Sequence, residues 1–362
     1  MTRISTPVFF ARYALFAVVP ALALFCASGQ GGEVSETANE PVAEPAAEPA
    51  NEPVWLNDYA QAWQKAETDR SMLLIFFRQP GDDNRSAELE KTLADPSLAD
   101  LFGNFSLLKI APETAVSLAA GENLPLAPGD MAENAPSILL QRPEFEEMLG
   151  QCGLAVIDLT NPDSDEYGLV VSVFPFLDSH HYGLNEVKVM LSLPPGTLTQ
   201  RTMIYAVRVH PDSPQSTAGE LLPVLAAGAE SHSAYQAKIR LQGHHFWDRR
   251  FQELGRQLPG NLTAQEVCAE GWPWQRLLEA AIDCVHCWRQ SPGHWSAVVA
   301  RQPYYGYDMK KGSNNIWYGT GLFGNRGESA PATDTTSATS ATSATSVANT
   351  QANTYPRRGR RR

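Results

Sequence analysis

What this chain has little of narrows its function before any motif is considered. Only five of its 362 residues are cysteine, and the first, Cys26, belongs to the extreme N-terminal stretch. The other four (Cys152, Cys268, Cys284 and Cys287) are too few in so long a body to form a disulfide scaffold. Positive charge is also scarce. The chain has 28 Lys and Arg against 40 Asp and Glu, a net charge of −12, and no basic stripe outside its last residues. That balance argues against nucleic acid as a partner.

The ends read as processing and spacer segments. Arg3 and Arg12 precede an apolar run from Tyr13 to Phe25 and then the small residues Ala27, Ser28 and Gly29, the order of an export signal over residues 1–28. Phe25 is too bulky for the position before a lipidated cysteine. Ordinary cleavage is therefore expected, with an uncleaved membrane anchor or a lipid on Cys26 as the alternatives. Residues 29–53 repeat Glu-Pro and Ala-Glu-Pro and form a solvated linker. Residues 326–362 are a Ser/Thr-rich disordered tail ending in Arg357, Arg358, Arg360, Arg361 and Arg362, whose basic tip suits an anionic surface or serves solubility alone. The protein is expected to be exported, to a periplasm, a cell surface or the medium.

The first body, residues 54–193, alternates periods. Trp55, Tyr59, Ala62, Trp63 and Ala66 recur at helical spacing, and Met72–Phe77 is a continuous apolar run expected to be a buried strand. A helical pattern over 84–102 leads to a second apolar strand at 105–110. A short helix over 143–150 then precedes strands at 153–159 and 168–174. This order, with the opening Trp-Leu-x-Asp-Tyr-x-x-Ala at residues 55–62, resembles secreted thioredoxin-like domains. The resemblance places a Cys-x-x-Cys after the first central strand, where a helix N-terminus stabilises a thiolate. Here Arg78-Gln79-Pro80-Gly81-Asp82-Asp83 stands instead, and Leu154-Ala155 occupies the place of the family's cis-proline. A redox-inactive interaction or spacer domain is expected, an unrelated small α/β domain being the alternative.

The second body, residues 195–325, opens with a helical face of Leu198, Met203, Ile204 and Val207. A second helix, capped by Ser216 or Thr217, is expected to carry Leu221, Leu222, Leu225, Ala229 and His232 and to run towards Gln242. Helix 274–290 is expected to stop at Ser291-Pro292, with Gly293 and His294 on a corner leading into a strand at Val298-Val299. Strands are expected around Tyr304–Tyr307 and Ile316–Gly324. Five elements in order carry a resemblance: Tyr205-Ala206-Val207-Arg208; Ala229-x-x-His232-Ser233; Glu266-Val267-Cys268-Ala269-x-Gly271; Trp288-x-x-Ser291-Pro292-Gly293-His294; and Trp317-Tyr318 with Phe323-Gly324. Together they resemble the cysteine-rich secretory, antigen 5 and pathogenesis-related (CAP, or SCP) domain. The expected fold class is thus α/β, a thioredoxin-like α/β domain followed by an α-β-α sandwich, between disordered ends.

The resemblance implies a surface cavity of two histidines and two acids, able in some members to hold a divalent metal. Carried over, the histidines are His244, with His245 as its substitute, and His294; the acid is Glu266. Ser291 stands where the second acid would be, with Glu270 as a distant replacement, so weak zinc binding by His244, Glu266 and His294 is expected and no cofactor is required. Trp295 is expected at the cavity rim; Trp272, Trp274, Trp288 and Trp317 are expected in the core, and His232 as a hydrogen-bonded core residue. Cys284-Val285-His286-Cys287 lies towards a helix C-terminus, where the dipole disfavours thiolates, and reads as structural or disulfide-bonded. The expected function is non-catalytic binding of a small apolar, lipid-like or glycan ligand or a cell-envelope component. The alternatives are a peptidase-like hydrolase using His294 and Glu266, and a cell-surface protein-interaction module.

Overall fold

The computed structural model describes residues 53–326, except 80, 82–83, 121–123, 131–134, 179 and 261. The expected leader, linker and tail lie outside the described residues, apart from Pro53 and Arg326. The architecture is mixed α/β.

In the N-terminal half the elements are β1 (Trp55–Leu56), α1 (Tyr59–Asp69), β2 (Met72–Phe77), α2 (Asn84–Leu93), α3 (Ala99–Phe102), β3 (Phe105–Ile110), β4 (Ala115–Val116), β5 (Ser137–Ile138), β6 (Gly153–Ile157) and β7 (Val170–Pro175). Five of the strands form one sheet in the order β1-β3-β2-β6-β7. β2 pairs parallel with β3 and antiparallel with β6, so it is central and buried at all positions, which is why its sequence is apolar without alternation. The β2-to-β3 link needs a crossover, which α2 and α3 supply. The short helix expected near residue 143 is a 3-10 helix, Pro143–Met148.

The C-terminal half contains α4 (Leu184–Leu191), α5 (Leu198–Arg208), β8 (Glu220–Leu221), α6 (Pro223–Ile239), α7 (Trp247–Gln257), β9 (Leu262–Glu270), α8 (Leu277–Gln290), α9 (Pro292–Val299), β10 (Tyr304–Lys311) and β11 (Trp317–Arg326). Its sheet runs β8-β10-β11-β9, antiparallel except for β8 with β10. Alternation along β9 separates two layers. Val267 and Ala269 enter the core shared with α5 and α8, whereas Ala264 joins Leu225, Ala229, Leu254 and Leu258 of the α6 and α7 layer.

Several expectations need correction. Ser216 and Thr217 do not cap the second helix: Glu220–Leu221 is a strand, and α6 starts with Pro223 in its first turn. Residues 292–299 form helix α9 rather than a corner into a strand, because Pro292 lacks only an N–H that a first helical turn leaves unbonded anyway. Trp288 and Trp317 are buried as expected, but Trp272 and Trp274 are 66% and 76% exposed. Trp274 sits at φ +72°, its N–H donated to the Asn315 carbonyl, and this tight turn projects outward. Among the described residues no disulfide forms: Cys152, Cys268 and Cys284 are buried, and Cys287 is exposed.

The two halves share one hydrophobic core, in which Leu154, Val156 and Phe174 meet Met203, Ile204 and Tyr205. Polar ties cross the same boundary. Fully buried Arg201 of α5 donates through Nε to Ser172 Oγ on β7 at 2.7 Å and through Nη1 to the Pro194 carbonyl at 2.7 Å. Buried Glu147 accepts from the backbone N–H of Leu277 at 2.9 Å, so a side chain of the first half caps the first turn of α8.

A histidine cleft over strand β9

Glu266 and Cys268, two residues apart on β9, point to the α6 side of the sheet. Above them runs the loop from α6 to α7, whose path is set by hydrogen bonds. Arg240 ends α6 in the left-handed conformation; the Gly243 N–H reaches Gln236 Oε1 at 3.1 Å; and Gln242 Nε2 donates to the Cys268 carbonyl at 3.2 Å. His232, buried on α6 as expected, donates from Nε2 to the Gly243 carbonyl at 2.9 Å. These ties lay His244 across β9.

The structure brings the three expected residues together. His244 Nδ1 is 2.9 Å from Glu266 Oε1, and His244 Nε2 is 3.2 Å from Nε2 of His294, which α9 presents in its first turn. The His244 side chain is 42% exposed and Glu266 is buried, so the cluster runs from an exposed imidazole down to a buried carboxylate floor. His245 turns instead to the Leu241 carbonyl, at 3.1 Å, and to the Tyr235 ring. Ser291 is the boundary residue of α9 and does not cap it with its side chain. The Trp295 indole lies 5.0 Å from the His210 ring and carries the Arg289 guanidinium over its face.

Sequence reasoning missed Arg250. From α7 it grips Glu266 with both terminal nitrogens: Nη2 donates to Oε1 at 2.8 Å and Nη1 to Oε2. Burial pushes the Glu266 carboxyl upward in pKa, but hydrogen bonds from His244 and Arg250 and the charges of His232 and Arg250 outweigh it and hold the group at about 2. Burial lowers the pKa of His294, and the neighbouring His244 lowers it further. Burial likewise lowers that of His232 and raises the Cys268 thiol. A second oversight is Cys268, whose Sγ is 3.8 Å from His244 Nδ1. His232, Glu266 and Cys268 offer ligand atoms all within 4.8 Å of one another, so this His/Glu/Cys group could hold a metal ion. The spacing of Glu266 and Cys268 was a usable signal for the thiol; nothing local marked Arg250 out from Arg249, which pairs with Glu253 in solvent.

Among the described residues no helix is long and apolar enough to cross a membrane. No protein-family model matches the chain, and a search of curated proteins returns no match. Among solved structures, an outer surface protein from Borrelia burgdorferi is similar at 20% identity and a TM-score of 0.25, over 30% of this chain and 77% of that chain.

Proposed function

We propose that this is an exported binding protein with a CAP-type C-terminal half, whose cleft between His244 and His294 takes a weakly held zinc ion and a small ligand. The observation that carries the reading is the pair of Nε2 atoms 3.2 Å apart. Two nitrogens each about 2.0–2.1 Å from one tetrahedral zinc stand about 3.3 Å apart, so the donors already have a suitable separation. Glu266 supports this from behind: by accepting from His244 Nδ1 it leaves the Nε2 lone pair facing His294. Glu266 thus orients a ligand in this arrangement and is not itself one. Phe246, two residues beyond His244, is 67% exposed and packs edge-on to Tyr235, an apolar surface on the same loop for a lipid-like or glycan ligand of the cell envelope. The N-terminal half supports a thioredoxin-like reading by its strand order, and Gln79, bonded to Ser86 Oγ, stands in the segment where that family's thiols would be.

Peptidase-like chemistry would need Glu266 as a general base. A carboxylate with a pKa of about 2, gripped by Arg250 and His244, is a poor proton acceptor near neutral pH. Binding is therefore the better-supported reading. Calorimetric titration of the full chain with zinc tests it. With the buried thiol removed by Cys268→Ala, exchangeable binding that is lost on adding His294→Ala is expected; heat unchanged by that addition would remove the cleft from the reading.

A further inference from the structure

Beneath the two facing Nε2 atoms a second set of donors converges from three elements. His232 comes from α6, Glu266 and Cys268 from β9, and His244 from the loop, which turns Nδ1 inward. We propose that His232 Nε2, Glu266 Oε1, Cys268 Sγ and His244 Nδ1 form a buried site for a thiophilic divalent ion such as zinc or cadmium, separate from the outer histidine pair and excluding its use. The inference goes beyond the cleft reading and does not require the outer pair to bind anything.

The geometry is compact. His232 Nε2 lies 3.8 Å from Glu266 Oε1, His244 Nδ1 is 2.9 Å from that same oxygen and 3.8 Å from the sulfur, and the first three groups all fall within 4.8 Å of one another. One thiolate, two imidazoles and one carboxylate make a sound donor set for zinc, and the sulfur biases the choice towards soft ions. Charge is also accommodated. The Arg250 guanidinium can keep Oε2 through Nη1 while Oε1 turns to the ion, so the carboxylate need not be stripped of its partner.

The protons balance as follows. As the sulfur–metal bond forms, the S–H bond of Cys268 breaks and its proton leaves to solvent. His232, whose Nε2 now donates to the Gly243 carbonyl, moves its proton to Nδ1 and gives the Nε2 lone pair to the ion. His244 moves its proton from Nδ1 to Nε2, where the acceptor is His294 Nε2 at 3.2 Å. That last shift sets the relation between the sites. With a proton on its Nε2, His244 cannot ligate an outer ion, so the imidazole serves either the inner site through Nδ1 or the outer one through Nε2. One ion per chain follows.

The test uses the full chain loaded with cobalt(II) for optical spectra and with zinc for X-ray absorption. One equivalent should give a near-ultraviolet thiolate-to-cobalt charge-transfer band, and zinc should show one sulfur neighbour at about 2.3 Å. Both signals should persist in His294→Ala, which abolishes only the outer site, and in Cys287→Ser, which removes the exposed thiol. Both should vanish in Cys268→Ser. No sulfur neighbour in the wild type, or its loss in Cys287→Ser, overturns the inner site without recourse to Cys268→Ser, whose folding is then immaterial. Zinc binding without sulfur that disappears in His294→Ala would leave the outer reading standing and sink this one.

Discussion

Glu266 on β9 and Asp308 on β10 occupy the two strands that flank β11, and each is a buried carboxylate whose treatment by the fold is opposite. Glu266 receives a bidentate guanidinium and an imidazole and ionises at about 2. Asp308 has the Thr199 hydroxyl at 3.1 Å and Lys310 Nζ at 3.7 Å, but that lysine is closer to Glu230, at 2.8 Å. Burial, helped by the charge of Glu230 and only partly opposed by Lys310, raises Asp308 to about 6. Depth alone does not set the state of a buried acid; the share of a cation it receives does. The edge of the sheet keeps a fixed negative charge under the histidines, while β10 carries an acid that takes up a proton as pH falls through about 6.

The sharpest way to break this contrast is to make Glu266 resemble Asp308. Arg250→Ala leaves a buried carboxylate short of its cation and should cost about 3–5 kcal/mol in urea unfolding, much of it regained when Glu266→Gln is added. A loss below about 1 kcal/mol would show that the ion pair is ornamental. Next in size is pH dependence. Asp308 has a folded pKa above its ordinary 3.8, so its contribution to stability is fully present below that value and is lost as pH rises through about 6. At pH 7 the loss is roughly 3 kcal/mol at about 1.4 kcal/mol per unit. The stability of Asp308→Asn minus that of wild type should therefore climb between pH 4 and 7; a flat difference would contradict the assignment. Glu266 has the reverse sign, its contribution being present above about 4.5 and lost as pH falls towards 2. The smallest effect concerns a third mode of burial, a carboxylate held by a backbone N–H. Glu147→Ala should cost about 1–2 kcal/mol by uncapping α8, seen as a lower thermal midpoint.

The same contrast explains what could be read from the chain. β2 and β6 were legible because central strands buried at every position are continuously apolar, β3 and β7 because only Ser106, Lys109 and Ser172 interrupt their apolar runs, and His244, Glu266 and His294 because ordered motifs carried them. Arg250 was not legible. It follows Arg249 on α7, and only the tertiary position of β9 decides which of the two arginines meets a buried acid. Asp308, within the strand Tyr-Tyr-Gly-Tyr-Asp-Met-Lys-Lys, reads as an outward polar position until α6 covers it. Helix α9 was misread because proline ends one helix and begins the next with equal ease, and the chain does both at Ser291-Pro292.

The Arg201 clamp has a consequence for where such a chain can be divided. Its guanidinium, fully buried, reaches Ser172 from the first half and the carbonyls of Leu193 and Pro194 at the junction. A gene fragment that begins after that junction encodes a cation stripped of its seat, and one that ends before it encodes an open socket. A break in the chain at residues 193–196 therefore leaves both products defective: one with a buried cation lacking its acceptors, the other with acceptors lacking their cation.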